Sequence, residues 1–198
     1  MPTALTTKLE AVNIILATIN EGPVASIPAA ASDFYGTQAE TTLDEVSKEV
    51  QLECWHFNTE YEVEITPSGG AIAVPTDALK IDFHDPSVKG FQKGLFMYDS
   101  EDFSTTSWGS SAKKMDIVYY RAFTDLPEAA NRYISIRAAR VFASRYQGDG
   151  DTYSFTSIDE RQARARLISA EGFTNEANIL NVSPGAYAVK RGSPLRGY

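Results

Sequence analysis

The sequence predicts an α+β fold: a bundle of about four helices, an inserted small antiparallel β-sheet subdomain, and an extended C-terminal arm. Three observations predict it. Apolar residues recur at helical spacing early in the chain and again after residue 125, the period changes to two between them, and neither period holds beyond residue 173. The expected division is a helical part over 1–56 and 125–173, a β part over 57–124 and an arm over 174–198.

The first helix opens on Thr7 with Glu10 three residues on, a capping-box spacing, and carries Leu5, Leu9, Val12, Leu16 and Ile19 on one stripe. Gly22 and Pro23 are expected to stop it. An Ala- and Pro-rich linker over 24–32 follows. A second helix is expected to start near Thr37, bearing Ala39, Leu43, Val46 and Val50, and to end near Cys54.

In residues 59–66, Tyr61, Val63 and Ile65 alternate with Glu60, Glu62 and Glu64, which predicts a strand with one wet face. Further strands are expected over 71–74, 79–84, 95–98 and 115–121, separated by turn signals at Pro67-Ser68-Gly69-Gly70, Pro75-Thr76-Asp77 and Asp85-Pro86. The Ser- and Thr-rich stretch 99–112 reads as a long exposed loop.

Helical spacing then returns. Pro127 lies in a first turn with Glu128 at a capping-box position, and Ala130, Ile134, Ala138, Val141 and Phe142 form the buried stripe. Gly148-Asp149-Gly150-Asp151 ends this helix. A fourth opens at Ser157 with Glu160, carries Ala163, Leu167 and Ala170, and is expected to close at Gly172. The region 174–198 lacks a period yet keeps Ile179, Leu180, Val182, Tyr187, Val189 and Leu195. It reads equally as a frayed terminus or as an arm that orders against a partner, with Lys190, Arg191 and Arg196 as charge contacts.

Composition narrows the function classes. The 198 residues suffice for one sizeable core, and 43% hydrophobic with 22% charged residues is ordinary for a globular chain. No apolar run approaches a membrane span. The opening Met1-Pro2-Thr3-Ala4-Leu5 lacks the pattern of a secretory signal, and the single Cys54 suits a reducing compartment, so cytosolic synthesis is expected. The net charge of −8 is uneven: residues 1–125 hold 19 acids and 8 bases, residues 126–198 hold 7 acids and 10 bases. Two unlike surfaces could complement each other between copies, or simply be solvated.

Catalytic patterns are sparse. Glu60, Glu62 and Glu64 on one strand face would stand roughly 6–7 Å apart, within the range of glycosidase carboxylate pairs, which keeps a cell-wall or polysaccharide hydrolase as the alternative. Alternating glutamates are more commonly a solvated strand face. His56, His84 and Cys54 match no zinc spacing, and Cys54 beside Trp55 and Phe57 reads as a buried small hydrophobe. Asp149-Gly150-Asp151 lacks the rest of a calcium loop, and neither a phosphate loop nor a Gly-x-Ser-x-Gly elbow occurs. No metal, cofactor or catalytic residue is expected. Specific DNA binding is disfavoured by the acidic balance, whereas acidic walls would suit a channel through which DNA slides without sticking.

Several segments together resemble the tail tubular protein A family, the head-to-tail adaptors of short-tailed, podovirus-type bacteriophages. They are the helix from Leu9 to Ile19 running into Glu21-Gly22-Pro23-Val24, the junction Trp55-His56-Phe57-Asn58, the start Leu126-Pro127-Glu128, and the helix from Ala138 to Tyr146; Tyr98-Asp99 is a lesser match. The resemblance covers about two-thirds of the chain and fades beyond Phe173. It implies a dodecameric ring in the virion tail, bound to the portal on one side and to the nozzle (tail tubular protein B) on the other. Tail fibres would be further neighbours, and genome DNA would pass through the channel during ejection. It implies no catalytic residues. Rings form by heterologous contacts, and the acidic body and Arg-bearing helices offer unlike faces. Arg132, Arg137, Arg140, Arg161 and Arg164 are the interface candidates, with Lys190, Arg191 and Arg196 on the arm.

Overall fold

Local capping decides where the helices begin. α1 (Lys8–Ala17) is closed by the expected box, in which Thr7 and Glu10 each satisfy the other's backbone N–H. The computed structural model describes residues 5–146 and 157–182, of which 173–182 are described as backbone only. α1 ends earlier than Gly22. Thr18 turns its hydroxyl back onto the Ile15 carbonyl, and Asn20, not a glycine, takes the left-handed conformation at φ 60°. Asn13 then clasps both the N–H and the carbonyl of Val24, fixing the exit path. The buried seam is Ala11, Val12, Ile15 and Leu16, while Leu5 is exposed.

The linker contains an unexpected turn of helix, α2 (Ile27–Ala30), capped by Ser26. α3 (Phe34–Gln51) starts three residues before Thr37, because the Asp33 carboxylate accepts from the Gly36 N–H and makes Asp33 the cap. Gly36 allows α2 and α3 to touch: a Cβ there would lie 2.6 Å from the Ala30 carbonyl oxygen. α3 ends at Gln51, and the chain turns through Cys54 at φ 63°. That turn places Cys54 outside, correcting its expected burial.

The β part is built from β1 (Thr59–Ile65), β2 (Ala78–Phe83), β3 (Gly90–Lys93), β4 (Phe96–Asp99) and β5 (Lys113–Tyr119). Strands β1, β5 and β2 form an antiparallel sheet in that order, and β3 pairs with β4 in a separate hairpin. The expected strand over 71–74 is only an extended segment: Ala73 makes a single bridge to Phe96, and Ile72 and Val74 are buried. β3 leaves no apolar alternation in the sequence because its inward residue is a glycine; Gly90 lies against Phe83 and Trp108 where a Cβ would not fit. The loop over 99–112 is mostly exposed, but Trp108 is buried; its indole donates to the Met97 carbonyl and closes a core of Ile72, Ile81, Phe83, Met97, Met115 and Ile117.

After a 3₁₀ turn (Phe123–Asp125), α4 (Glu128–Tyr146) returns as the central helix, in contact with α1, α3 and α5. Its buried residues run nearly all round it, including Tyr133, Ile134, Ser135, Ile136, Ala139 and Phe142. Glu128 does not close a capping box. Its carboxylate accepts from the Thr6 N–H and hydroxyl, tying α4 to the start of α1. Residues 147–156, with the Asp149-Gly150-Asp151 turn, lie outside the described residues.

α5 (Ser157–Val182) does not stop at Gly172; it runs nine residues into the expected arm. A mid-helix glycine costs only about 1 kcal/mol relative to alanine. Ala163 and Leu167 are buried, whereas Ala170 is exposed. The class is α+β, with helices before and after the sheet in sequence sharing one apolar core.

The two parts meet at a buried polar joint. Gln51, fully buried, accepts from the Arg121 N–H at 2.7 Å and donates to the Arg121 carbonyl and the Ser47 hydroxyl. The Asn58 side-chain amide donates to the carbonyls of Gln51 and Tyr119, and the Asn58 backbone carbonyl accepts from the Tyr119 N–H. Chain exit and chain return are thereby bonded to each other. Replacing Gln51→Ala strands buried backbone groups of Arg121 and is expected to cost about 1–3 kcal/mol. In thermal unfolding this appears as a midpoint lowered by several degrees; an unchanged midpoint would refute the role given to the joint. Gly36→Ala is expected to destabilise despite alanine's higher helix propensity, while Gly172→Ala, with nothing within 4 Å of the added carbon, stabilises by about 0.5–1 kcal/mol. Denaturant midpoints of the two variants should move in opposite directions.

Candidate assembly surface

The proposed arginines lie on α4 and α5, and the structure first uses most of them to hold the helices together. α5 runs antiparallel to α4, and Glu160 near its start accepts from both Arg137 and Arg140. Arg137 also reaches Glu49 of α3 at 3.1 Å and the Tyr133 hydroxyl at 3.3 Å. Burial alone would lower the basicity of Arg137, but the bonds to Tyr133 and Glu49 outweigh it and raise the pKa. Arg164 pairs with Glu53 at 2.8 Å, and Arg145, outside the original candidates, pairs with Glu45 at 2.8 Å. Three elements are thus laced by carboxylate–guanidinium contacts, each worth up to about 1 kcal/mol where exposed.

A surface cleft of about 410 Å³ is lined by Arg137, Arg140, Val141, Ser144, Arg145 and Glu160. Its three guanidinium groups are matched by Glu45, Glu49 and Glu160, so it is electrically balanced rather than a strong anion site. Among the described residues Arg161 bonds its own helix, through the Ser157 carbonyl at 3.2 Å, and its side chain is exposed. Arg132 is exposed on α4. Lys190, Arg191 and Arg196 lie outside the described residues.

Sequence reasoning missed the apolar exposure. Ile158 and Ile168 on α5 are 54% and 52% exposed, with Ala165 between them on the face turned away from Ala163 and Leu167. The signal is present in the spacing of Ile158, Ala165 and Ile168, seven and then three residues apart, beside the core stripe of Ala163 and Leu167.

The three glutamates of β1 do not share one face as the alternation predicts. Between Glu60 and Val63, β1 carries a bulge in which Tyr61 and Glu62 together oppose one residue of β5, and Glu62 has φ 58°. Glu60 therefore stands opposite Ile117 and Glu64 opposite Lys114, on opposite faces of the sheet. The same bulge leaves Tyr61 65% exposed instead of on the apolar face. Glu60 pairs with Arg121, and Glu62 with Lys114 and His84. The hydrogen bond and charge of Lys114 hold the Glu62 carboxyl below its ordinary pKa, the reverse of what a general acid needs. The two ring nitrogens of His84 face different carboxylates, Asp116 at 2.9 Å and Glu62 at 3.5 Å. Among the described residues no group of three or more His, Cys, Asp and Glu side chains could hold a metal ion. No described helix is long and apolar enough to cross a membrane.

Comparison with known proteins agrees with the arrangement. No curated protein matches the chain. The family model described as Tail tubular protein matches residues 9–176, spanning α1 through most of α5. The chain therefore belongs to the tail tubular protein family and is a structural subunit of a phage tail.

Proposed function

We propose that the chain forms a ring adaptor, a dodecamer, that joins the portal vertex to the tail nozzle and lets genome DNA pass through its channel. In this reading the subunit acts by assembly and not by turnover of a substrate, and tail fibres are further neighbours. The observation that carries it is the outer face of α5. Ile158, Ala165 and Ile168 lie exposed beside Arg161 and Arg166, on a helix already anchored by its opposite face. A face of this kind meets an unlike, acidic face of the next copy, the heterologous contact that closes rings. The acidic balance of residues 1–125 supplies that second face and keeps DNA phosphates from adhering. Of the original arginines, Arg161 is best placed to reach a neighbour, because Arg137, Arg140 and Arg164 are engaged within the subunit.

Mixed with purified portal protein, the folded chain is expected to co-sediment with it and to show twelve-fold rings by electron microscopy. Ile168→Asp combined with Arg161→Glu should abolish the rings while shifting stability by no more than about 0.5 kcal/mol, as exposed substitutions do. Folded wild-type protein that fails to co-sediment with portal would overturn the proposal.

A further inference from the structure

The hairpin β3–β4 exposes aromatic rings where an outer sheet face is ordinarily polar. Met97 points into the core, so its strand neighbours Phe96 and Tyr98 point outward, together with their cross-strand partners Lys93 and Phe91. Gly94, at φ 62°, opens a two-residue turn that holds Leu95 at the tip, 62% exposed. Phe103 packs edge-on against Phe91, with ring centroids 6.0 Å apart, and is itself 69% exposed. Its φ of 56° is a left-handed conformation that costs a bulky side chain strain on the order of 1–3 kcal/mol. An exposed phenylalanine in a strained backbone, where glycine or asparagine would sit at less cost, points to contact with something apolar.

We propose that this face is the seat of the chain's own C-terminal segment, residues 183–198. Four observations select that occupant. Taking ~200 Å² for a whole side chain, Phe91, Leu95, Phe96 and Phe103 together expose roughly 400 Å², about half of what each partner of a stable complex buries. A patch of that size suits a short tethered segment, whose effective concentration reaches the millimolar range. The charges are complementary: 183–198 hold Lys190, Arg191 and Arg196 and no acid, whereas the β part over 57–124 holds ten acids and six bases, with Asp99, Glu101 and Asp102 in the loop that carries Phe103. The apolar chemistry also matches, with Tyr187, Val189, Leu195 and Tyr198 in the segment.

Direction and reach agree as well. α5 leads from Glu160 beside Arg140, past Arg164 on Glu53, to Glu171, whose carboxylate accepts from the His56 N–H just before β1. The helix thus heads for the β part, and the eleven residues from Glu171 to Val182 carry it about 16 Å further. The sixteen residues beyond can extend by up to about 50 Å. This docking is independent of ring formation, and each can fail without the other.

Amide exchange read by mass spectrometry on the full-length chain tests it. Residues 186–191 should exchange at least about tenfold more slowly in the wild type than in Phe103→Gly, with no dependence on protein concentration. Phe103→Gly should also unfold at the same temperature as the wild type or higher, because it relieves the strained φ. If that variant misfolds, Leu95→Ser at the hairpin tip gives the same reading. In the reciprocal variant, Tyr187→Asp with Val189→Asp, exchange at Phe91–Lys93 should accelerate. Equal exchange in wild type and variants overturns the proposal, as does protection that grows with concentration, which would assign the face to a second copy.

Discussion

The architecture depends on one buried node. Gln51 at the end of α3 and Asn58 at the start of β1 hydrogen-bond the backbone of 119–121, where the chain comes back from the sheet. Without these bonds two peptide segments would cross between helices and sheet with donors and acceptors buried and unmet, at a cost of 1–3 kcal/mol for each group by the usual magnitude of about that size. Trp55 belongs to the same node. Its indole donates to the Val50 carbonyl and its ring stacks on Phe57. The helical core and the sheet core are separate clusters of buried side chains, and this node sets how one is carried by the other.

The helical part solves a second problem with charge. α4 is buried on most of its circumference, so its polar residues must be satisfied at the rim, and α3 and α5 supply the carboxylates that do so. Arg137, Arg140, Arg145 and Arg164 therefore hold adjacent helices in register. A guanidinium can serve such a role because its planar fork offers five donors, leaving some for contacts outside the subunit. Membership of a tail tubular family fits a subunit with arginine-bearing helices and a strand of alternating acids broken by a bulge.

Much of the fold was legible because its signals are local. The Thr7–Glu10 box, the alternation in 59–65, and the stripe through Ile134 and Phe142 each name an element from residues within one or two turns. What was not legible depends on partners far along the chain. The α3 start went to Thr37 because Glu40 sits at box spacing, yet Glu40 is drawn to Lys8 of α1 and Asp33 makes the cap. The bulge at Tyr61 and Glu62 leaves no mark in a period of two, since the extra residue is revealed only by counting against β5. The candidate surface was half legible. The arginines stand out by composition, but whether each one faces a neighbour or its own subunit is decided by glutamates on α3 and α5 that no local pattern connects to them.

The close approach of exit and return also bears on how such a chain can change over generations. With Gln51 and Arg121 bonded side by side, the helices experience the sheet as a graft on a single stem. The entropy of closing that stem grows by only about 0.6 kcal/mol when the grafted length doubles. Lengthening, trimming or replacing the outer strands is then almost free for the helices, and the sheet can diversify while the helical framework that carries it stays the same.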